Sequence, residues 1–529
     1  VTVEQQGDRL SLATLETTLA AATDAGHDVR GPAVDPGQVT VGIVHLGLGA
    51  FHRAHQAVFT EDAAAATGET GWGILGVTQR SPRVAEQLAP QDGLYGVLTA
   101  GADSSSLRII GSLRGVAYPG EDTALVLDTI AAPTTHVVTL TVTEKGYRAA
   151  TDGALDRDDP DVRADVEALA AEMGAPAGGA VTDVAPARSP IGMLTRGLAR
   201  RYAAGGAPIT VLTCDNMVDN GRVVERLVGQ VVDAALAAGG GTDPLGDVQD
   251  LVDAPTEGLR DWLARSVTFP CTMVDRIVPA TTDVNRAEAH ALTGVRDEGL
   301  VVGEPFTQWV IEDRFAGPRP AWEKAGATLT DDVAPFEQAK LRMLNGTHSL
   351  LAYLGALHGH RLIADAVRDP SVEAVARELL FEDVVPTLQA PPGVDLVEYG
   401  ESLLERFANP ATGHTTIQVA MDGSKKLPFR LFGTVTDRLA AGTLPIGAAS
   451  AVAAWIVFVA RGITFTGEPL VLDDPLADRL RAAADGPEDT LVARMFEVQE
   501  VFPAEVAGHE AFRALVEQGV EALLDRFED

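Results

Sequence analysis

The decapeptide KLRMLNGTHS, Lys340 to Ser349, sets an amine, an amide and an imidazole into a run that otherwise forms helix. At about 100° per residue, Lys340, Asn345 and His348 project at roughly 0°, 140° and 80°, and Glu337 projects near 60°. The four polar groups share one side, with Leu341, Met343 and Leu344 read as the residues that pack. A lysine can take a proton from an alcohol when burial or a neighbouring cation lowers its pKa toward neutrality. A carboxamide can donate to an oxygen that gains negative charge without titrating itself, and Asn216, at the end of the apolar run APITVLTCDN, offers a second amide. Lysines on solvated helix faces and asparagines in turns are common, so the set acquires a function only within a framework that positions it.

The first part of the chain supplies one. VTVGIVHLG, GWGILGVTQ, THVVTLTVT and APITVLTCDN are apolar, β-branched runs separated by segments of helix length, as expected for strands covered on both faces of an open parallel sheet. The fold class is α/β: a Rossmann-type doubly wound domain over residues 1–330, then a mainly α-helical domain over residues 331–529, marked by ESLLERFA, PLADRLRAAA and FRALVEQGVEALLDRF. In VGIVHLGLGAFHRAH the first good strand ends at Gly47 and Gly49 and enters a helix, where backbone can approach a pyrophosphate closely. His52 stands where the third glycine of the usual motif would be, and a structural turn accounts for two glycines as well. The acidic residue expected after the second strand is missing; Gln79 and Arg80 are there instead, and Arg80 reads equally as a 2′-phosphate contact or as a surface arginine. The cofactor expected is NAD, with NADP left open.

Composition removes other classes. A net charge of −34 argues against nucleic acid and anionic membrane, and any anionic substrate needs local cations of its own. The longest apolar run, Gly447 to Ala460, has fourteen residues, too few for a membrane span of about eighteen or more, and is expected to be a buried helix. The polar start VTVEQQGDRL carries no basic leader, and two cysteines, Cys214 and Cys271, build neither a disulfide framework nor a thiolate cluster. A reducing, cytoplasmic setting is expected. His45, His52 and His55 lack a carboxylate or thiolate at ligand spacing, so no metal is expected. Two stretches, Ala149 to Pro190 and Ala234 to Pro255, read as surface insertions without site residues.

GLGAFHRAHQA, TVTEKGY, CDN followed by NG, FPCTMVDRIVPATT, EPFTQWVIED and KLRMLNGTHSLLAYLG, in that order, resemble the polyol-specific long-chain dehydrogenases, a family that includes mannitol 2-dehydrogenase and fructuronate reductase. The resemblance spans roughly Val41 to Phe432. It implies Lys340 as general acid or base, Asn216 and Asn345 as an oxyanion hole, His348 as the group that positions substrate oxygen and lysine, and Glu337 on the proton path. Asp275 matches a position near the substrate. The cofactor would be held by Gly47, Gly49, Ala50, Phe51 and His52, together with Arg80 and Glu144. No zinc is used, and a monomer is implied. In TTIQVAMDGSKKLPFR, Lys426 matches a substrate-binding lysine, while Gln418 and Arg430 resemble the fructuronate reductase branch more than the mannitol branch. The expected reaction is hydride transfer between a nicotinamide and a sugar acid, D-fructuronate to D-mannonate. The alternatives are fructose and mannitol, or a non-catalytic sugar or nucleotide sensor on the same fold.

Overall fold

The computed structural model describes residues 8–79, 81–101, 105–150, 152–174, 184–239 and 258–528. The chain divides into two compact units, Val1–Val333 and Ala334–Asp529.

The first unit is built on six strands: β1 (Val41–Leu46), β2 (Gly73–Val77), β3 (Leu113–Ala117), β4 (Val137–Leu140), β5 (Ile209–Thr213) and β6 (Val267–Thr268). They lie in the order β3-β2-β1-β4-β5-β6, every neighbouring pair parallel. This is the order of a dinucleotide-binding sheet, whose crevice opens at the carboxyl ends of β1 and β4, where the winding reverses. Residues of β2, β4 and β5 are buried throughout, which is why they read as continuous apolar runs. The four expected strands are β1, β2, β4 and β5. β3 escaped because Arg114 and Gly115 interrupt it and only its two ends are buried; β6 is two residues long.

Two further sheets were not expected. Tyr95–Ala100 and Ser105–Ile110 pair antiparallel, flanked in parallel by Val301–Gly303 and Val29–Arg30. Thr272–Asp275, Gln308–Glu312 and Thr328–Thr330 form the third. The Glu61 carboxylate, fully buried on helix Gln56–Thr67, ties the first of these to the helix layer by accepting from Gly111 N at 2.6 Å and Ser112 N at 3.0 Å and by pairing with Arg108 at 2.8 Å. Residues 149–190, expected as a surface insertion, contain helix Pro160–Met173. Asp159 caps its start, and Val162 and Leu169 bury its inner face. Most of residues 234–255 lies outside the described residues.

The second unit is helical. Gly447–Ala460 lies within helix Ile446–Arg461, whose Trp455, Ile456 and Val457 are completely buried. Among the described residues no helix is long and apolar enough to cross a membrane. Three π-helical turns interrupt the α-helices: Lys340–Asn345, Glu378–Val384 and Pro428–Phe432. Pro428 explains the third, since a residue without an N–H breaks the i→i−4 ladder where it enters a helix.

Candidate active site

In the first unit the site begins where β1 ends. Gly47 has φ 105°, and a Cβ there would stand 2.1 Å from the Thr141 carbonyl oxygen, so this position admits only glycine. The Thr141 hydroxyl donates to Gly47 O at 2.8 Å, which clamps the turn to the end of β4. Gly49 differs. Leaving aside its own chain neighbours, a Cβ there would come no nearer than 3.7 Å to a protein atom, so the open space above it fits a group that approaches from outside. Arg53 donates to Gly49 O at 3.2 Å, and Arg276 donates to Ala54 O and to Glu304 O, which fixes the helical turn Ala50–Ala54.

The structure corrects the reading of His52. Its ring is 1% exposed and stacks on His45 at 3.4 Å between centroids, so it packs beneath the turn and is not a cofactor contact. Both nitrogens of His45 are bound, to Thr139 Oγ1 at 2.8 Å and Thr141 Oγ1 at 2.9 Å, and burial pushes its pKa down to about 3. Burial likewise holds His52 well below the usual imidazole range, so the stack is uncharged. Phe51 lies half-buried against His55, at 5.0 Å. Glu144 is exposed on the turn Glu144–Tyr147 that follows β4. Arg80 lies outside the described residues.

Just past β5, Asn216 is exposed, and its neighbour Asp215 is buried. The Asp215 carboxyl bonds to Val142 N and Tyr147 Oη, so it joins the carboxyl ends of β4 and β5. Burial pushes its pKa up to about 7. Asp275 ends its strand in a buried position.

In the second unit the helix expected around Lys340 runs from Ala334 to Leu357, but its centre, Lys340–Asn345, is a π turn. Residues five apart diverge by about 140° in an α-helix; i→i+5 bonding narrows that angle and turns Lys340 and Asn345 toward a common face. The π turn packs against the third one, Pro428–Phe432, with only 3.1 Å between the Arg430 carbonyl oxygen and the place a Gly346 Cβ would occupy. Arg430 crosses this contact and donates to Ser349 Oγ at 2.9 Å and Asn345 O at 3.4 Å. Glu337, Lys340, Asn345 and His348 are all half-buried.

His348 stacks on His414 at 5.6 Å and tilts against Phe407 at 4.9 Å, and its Nε2 is buried with no hydrogen-bond partner among the described residues. Burial holds it well below the ordinary imidazole range, and nearby His414, Arg430, Lys426 and Arg406 push the same way. The imidazole is therefore neutral, surrounded by three cations. Burial also lowers Lys426 and Arg430, and the Arg430 charge pushes Lys426 the same way, against the opposing pull of Asp422 and Asp474. Gln418 is not part of this group: it is exposed, and its Oε1 accepts from Thr415 N at 3.2 Å in a capping box for helix Thr416–Ala420. His414 and Arg406 were not singled out from the sequence. Arg406 had a readable signal, because it sits one helical turn from the buried Leu403 and beside Phe407, on the stripe where a charge is out of place.

The first unit fits a dinucleotide: a glycine-only turn, an open approach at Gly49, and a cavity of about 470 Å³ whose lining includes Gln79, past β2, and Lys145 and Gly146, past β4. For a metal, the described residues offer one set, His358, His360 and Asp369, with ligand atoms within 4.8 Å of one another. Arg526 already occupies His358 Nε2 at 2.8 Å.

A model described as the mannitol dehydrogenase Rossmann domain matches residues 41–324, and one described as the mannitol dehydrogenase C-terminal domain matches residues 332–524. The chain belongs to the mannitol dehydrogenase family. D-mannonate oxidoreductase of Escherichia coli (strain K12) is 40% identical over 463 residues, 87% of this chain and 88% of that protein. Mannitol 2-dehydrogenase of Cereibacter sphaeroides is 35% identical over 94% of this chain and 98% of its own length. The structure of Pseudomonas fluorescens mannitol 2-dehydrogenase, a ternary complex with NAD and D-mannitol, superposes with a TM-score of 0.78 at 32% identity and covers 98% of this chain and 99% of that one. As a mannitol dehydrogenase family member, the chain is an oxidoreductase of polyols or sugar acids that uses a nicotinamide cofactor.

Two results test this geometry. Gly47→Ala is expected to lower stability in urea unfolding, by about 2 kcal/mol or more for the clash and the positive φ together. Gly49→Ala should leave stability nearly unchanged and weaken dinucleotide binding in a fluorescence titration; equal effects of the two would refute the open approach at Gly49. Asp215 makes a pH prediction. Its folded pKa lies above its ordinary 3.8, so between about pH 4 and 7 the unfolded chain gives up a proton that the folded chain keeps, and stability falls as pH rises through that window. Asp215→Asn removes the effect: its stability relative to wild type should rise by roughly 2–4 kcal/mol from pH 4 to 8, and a flat difference would show that Asp215 ionises normally.

Proposed function

We propose that the chain reduces D-fructuronate to D-mannonate with NADH, and that Lys340 is the proton donor in that direction and the base in the reverse. The observation that carries the acid substrate is the pair Lys426 and Arg430 beside His348, in a chain whose net charge is −34. A negative field of that size repels an anion at long range, and a carboxylate is held only where buried cations face it. Lys426 and Arg430 are partly desolvated beside His348, a cost that a carboxylate on the substrate would offset and a neutral polyol would not.

The cofactor, when bound, supplies or accepts the hydride. This chain's own residues do the rest. Lys340 moves the proton to or from the substrate oxygen. Asn345, brought toward Lys340 by the π turn, donates its amide to that oxygen as negative charge develops there. His348, neutral and fixed between His414 and Phe407, presents a buried nitrogen that can hold a substrate hydroxyl without adding a charge. The cations Lys426 and Arg430 then orient the substrate from its carboxylate end, so binding energy from a remote group is used to align the reacting carbon.

Lys340→Ala should lower kcat by at least about a hundredfold and leave dinucleotide affinity within about twofold; a comparable loss of cofactor binding would remove its role in proton transfer. Arg430→Ala should reduce kcat/KM for fructuronate roughly a hundredfold and for fructose far less. Equal losses on the two substrates would remove the carboxylate argument and favour a polyol substrate.

A further inference from the structure

The cavity of about 470 Å³ in the first unit is lined by Gln79, Tyr118, Lys145, Arg148, Asp161 and Arg188, among others. A dinucleotide site that excludes the 2′-phosphate does so with a carboxylate after the second strand, which takes the ribose 2′-hydroxyl and repels a phosphate. Here that position holds Gln79, two residues beyond β2. Its Nε2 is buried without a hydrogen-bond partner among the described residues and lies 3.1 Å from the place a Gly47 Cβ would take. Among the described residues that line the cavity the one carboxylate, Asp161, is paired with Arg148 at 2.7 Å.

Two lining cations are exposed and make no ion pair among the described residues: Lys145, on the turn after β4, and Arg188. The backbone that carries Arg188 is fixed. Ala187 N donates to Thr123 Oγ1 at 2.9 Å, and the buried Asp165 carboxylate accepts from Arg188 N at 2.9 Å and from Ser189 N at 2.8 Å. Arg196, fully buried, holds the Ala185 carbonyl at 2.8 Å. Ser189 then caps the fourteen-residue helix Pro190–Ala203, whose positive end adds to the field beside Arg188. The result is a guanidinium on a rigid mount facing a cavity whose one lining acid among the described residues is ion-paired.

We propose that this cavity accepts the 2′-phosphate of a phosphorylated nicotinamide dinucleotide, with Arg188 as its ion-pair partner and Gln79 as a neutral donor at the ribose, so that the chain binds NADPH as well as NADH. This rests on the reading that the first unit carries a nicotinamide dinucleotide. Nothing in the cavity requires the phosphate, so NADH is bound too.

The test is equilibrium titration of the full chain with NADH, NADPH, 5′-AMP and 2′,5′-ADP, at low and high salt, for wild type, Arg188→Ala and Arg188→Lys. Wild type should bind NADPH within about tenfold of NADH and 2′,5′-ADP more tightly than 5′-AMP. Arg188→Ala should shift the NADPH-to-NADH affinity ratio against NADPH by roughly tenfold, Arg188→Lys should restore part of it, and the wild-type preference for 2′,5′-ADP over 5′-AMP should shrink with added salt. NADPH bound more than about a hundredfold more weakly than NADH would overturn the proposal and leave the dinucleotide reading intact, as would a ratio unmoved in Arg188→Ala. Failure of both dinucleotides to bind would overturn the two together.

Discussion

One extra residue in a helical turn governs the chemistry of the second unit. If Ala334–Leu357 were α-helical throughout, Lys340 and Asn345 would project about 140° apart, at the two edges of the polar side. The π turn Lys340–Asn345 reduces that divergence, and a second π turn, forced open by Pro428, packs against it. Each widened turn is unfavourable in isolation. Together they let backbone approach backbone at Gly346 and let Arg430 bridge to Asn345 and Ser349, so the amide and the cation proposed to take the two ends of the substrate are held by the same contact. Neutral His348 follows from that arrangement, since three nearby cations and burial leave no room for a fourth charge.

The first unit obeys a comparable constraint at Gly47. The order β3-β2-β1-β4-β5-β6 opens a crevice at the carboxyl ends of β1 and β4, and the turn out of β1 crosses so close to Thr141 that only glycine passes. Beneath it the uncharged His45 and His52 stack fills the space where the usual motif has a third glycine. The turn is thus supported by packing where a close helix approach would otherwise serve, and Asp215 fixes the neighbouring strand ends through Val142 and Tyr147.

Much of this was legible in the sequence, and the failures have physical causes. Strands buried on both faces announce themselves as apolar runs, so β1, β2, β4 and β5 were readable, whereas β3, with Arg114 and Gly115 in its centre, was not. A helix was expected around Lys340, but the π turn was invisible because no local residue pattern encodes i→i+5 bonding; it is set by packing against a segment more than eighty residues away. Gln418 and His52 were misread for one reason: each has the residue type of a ligand contact and is consumed locally, one as a cap and one as a stacked ring. Arg406 and His414 were missed since their company around His348 comes from tertiary packing. Residues 149–190 looked like filler because their Ala, Asp, Gly and Pro content hides a capped helix and the mount for Arg188.

Selection of a sugar acid by Lys426 and Arg430 in an acidic chain is measurable as steady-state NADH oxidation with D-fructuronate and with D-fructose, side by side on the same preparation. The kcat/KM for fructuronate should lie at least about a hundredfold above that for fructose, as a remote carboxylate held by paired cations should give. Equal values, or a preference for fructose, would contradict it and make the substrate a neutral polyol.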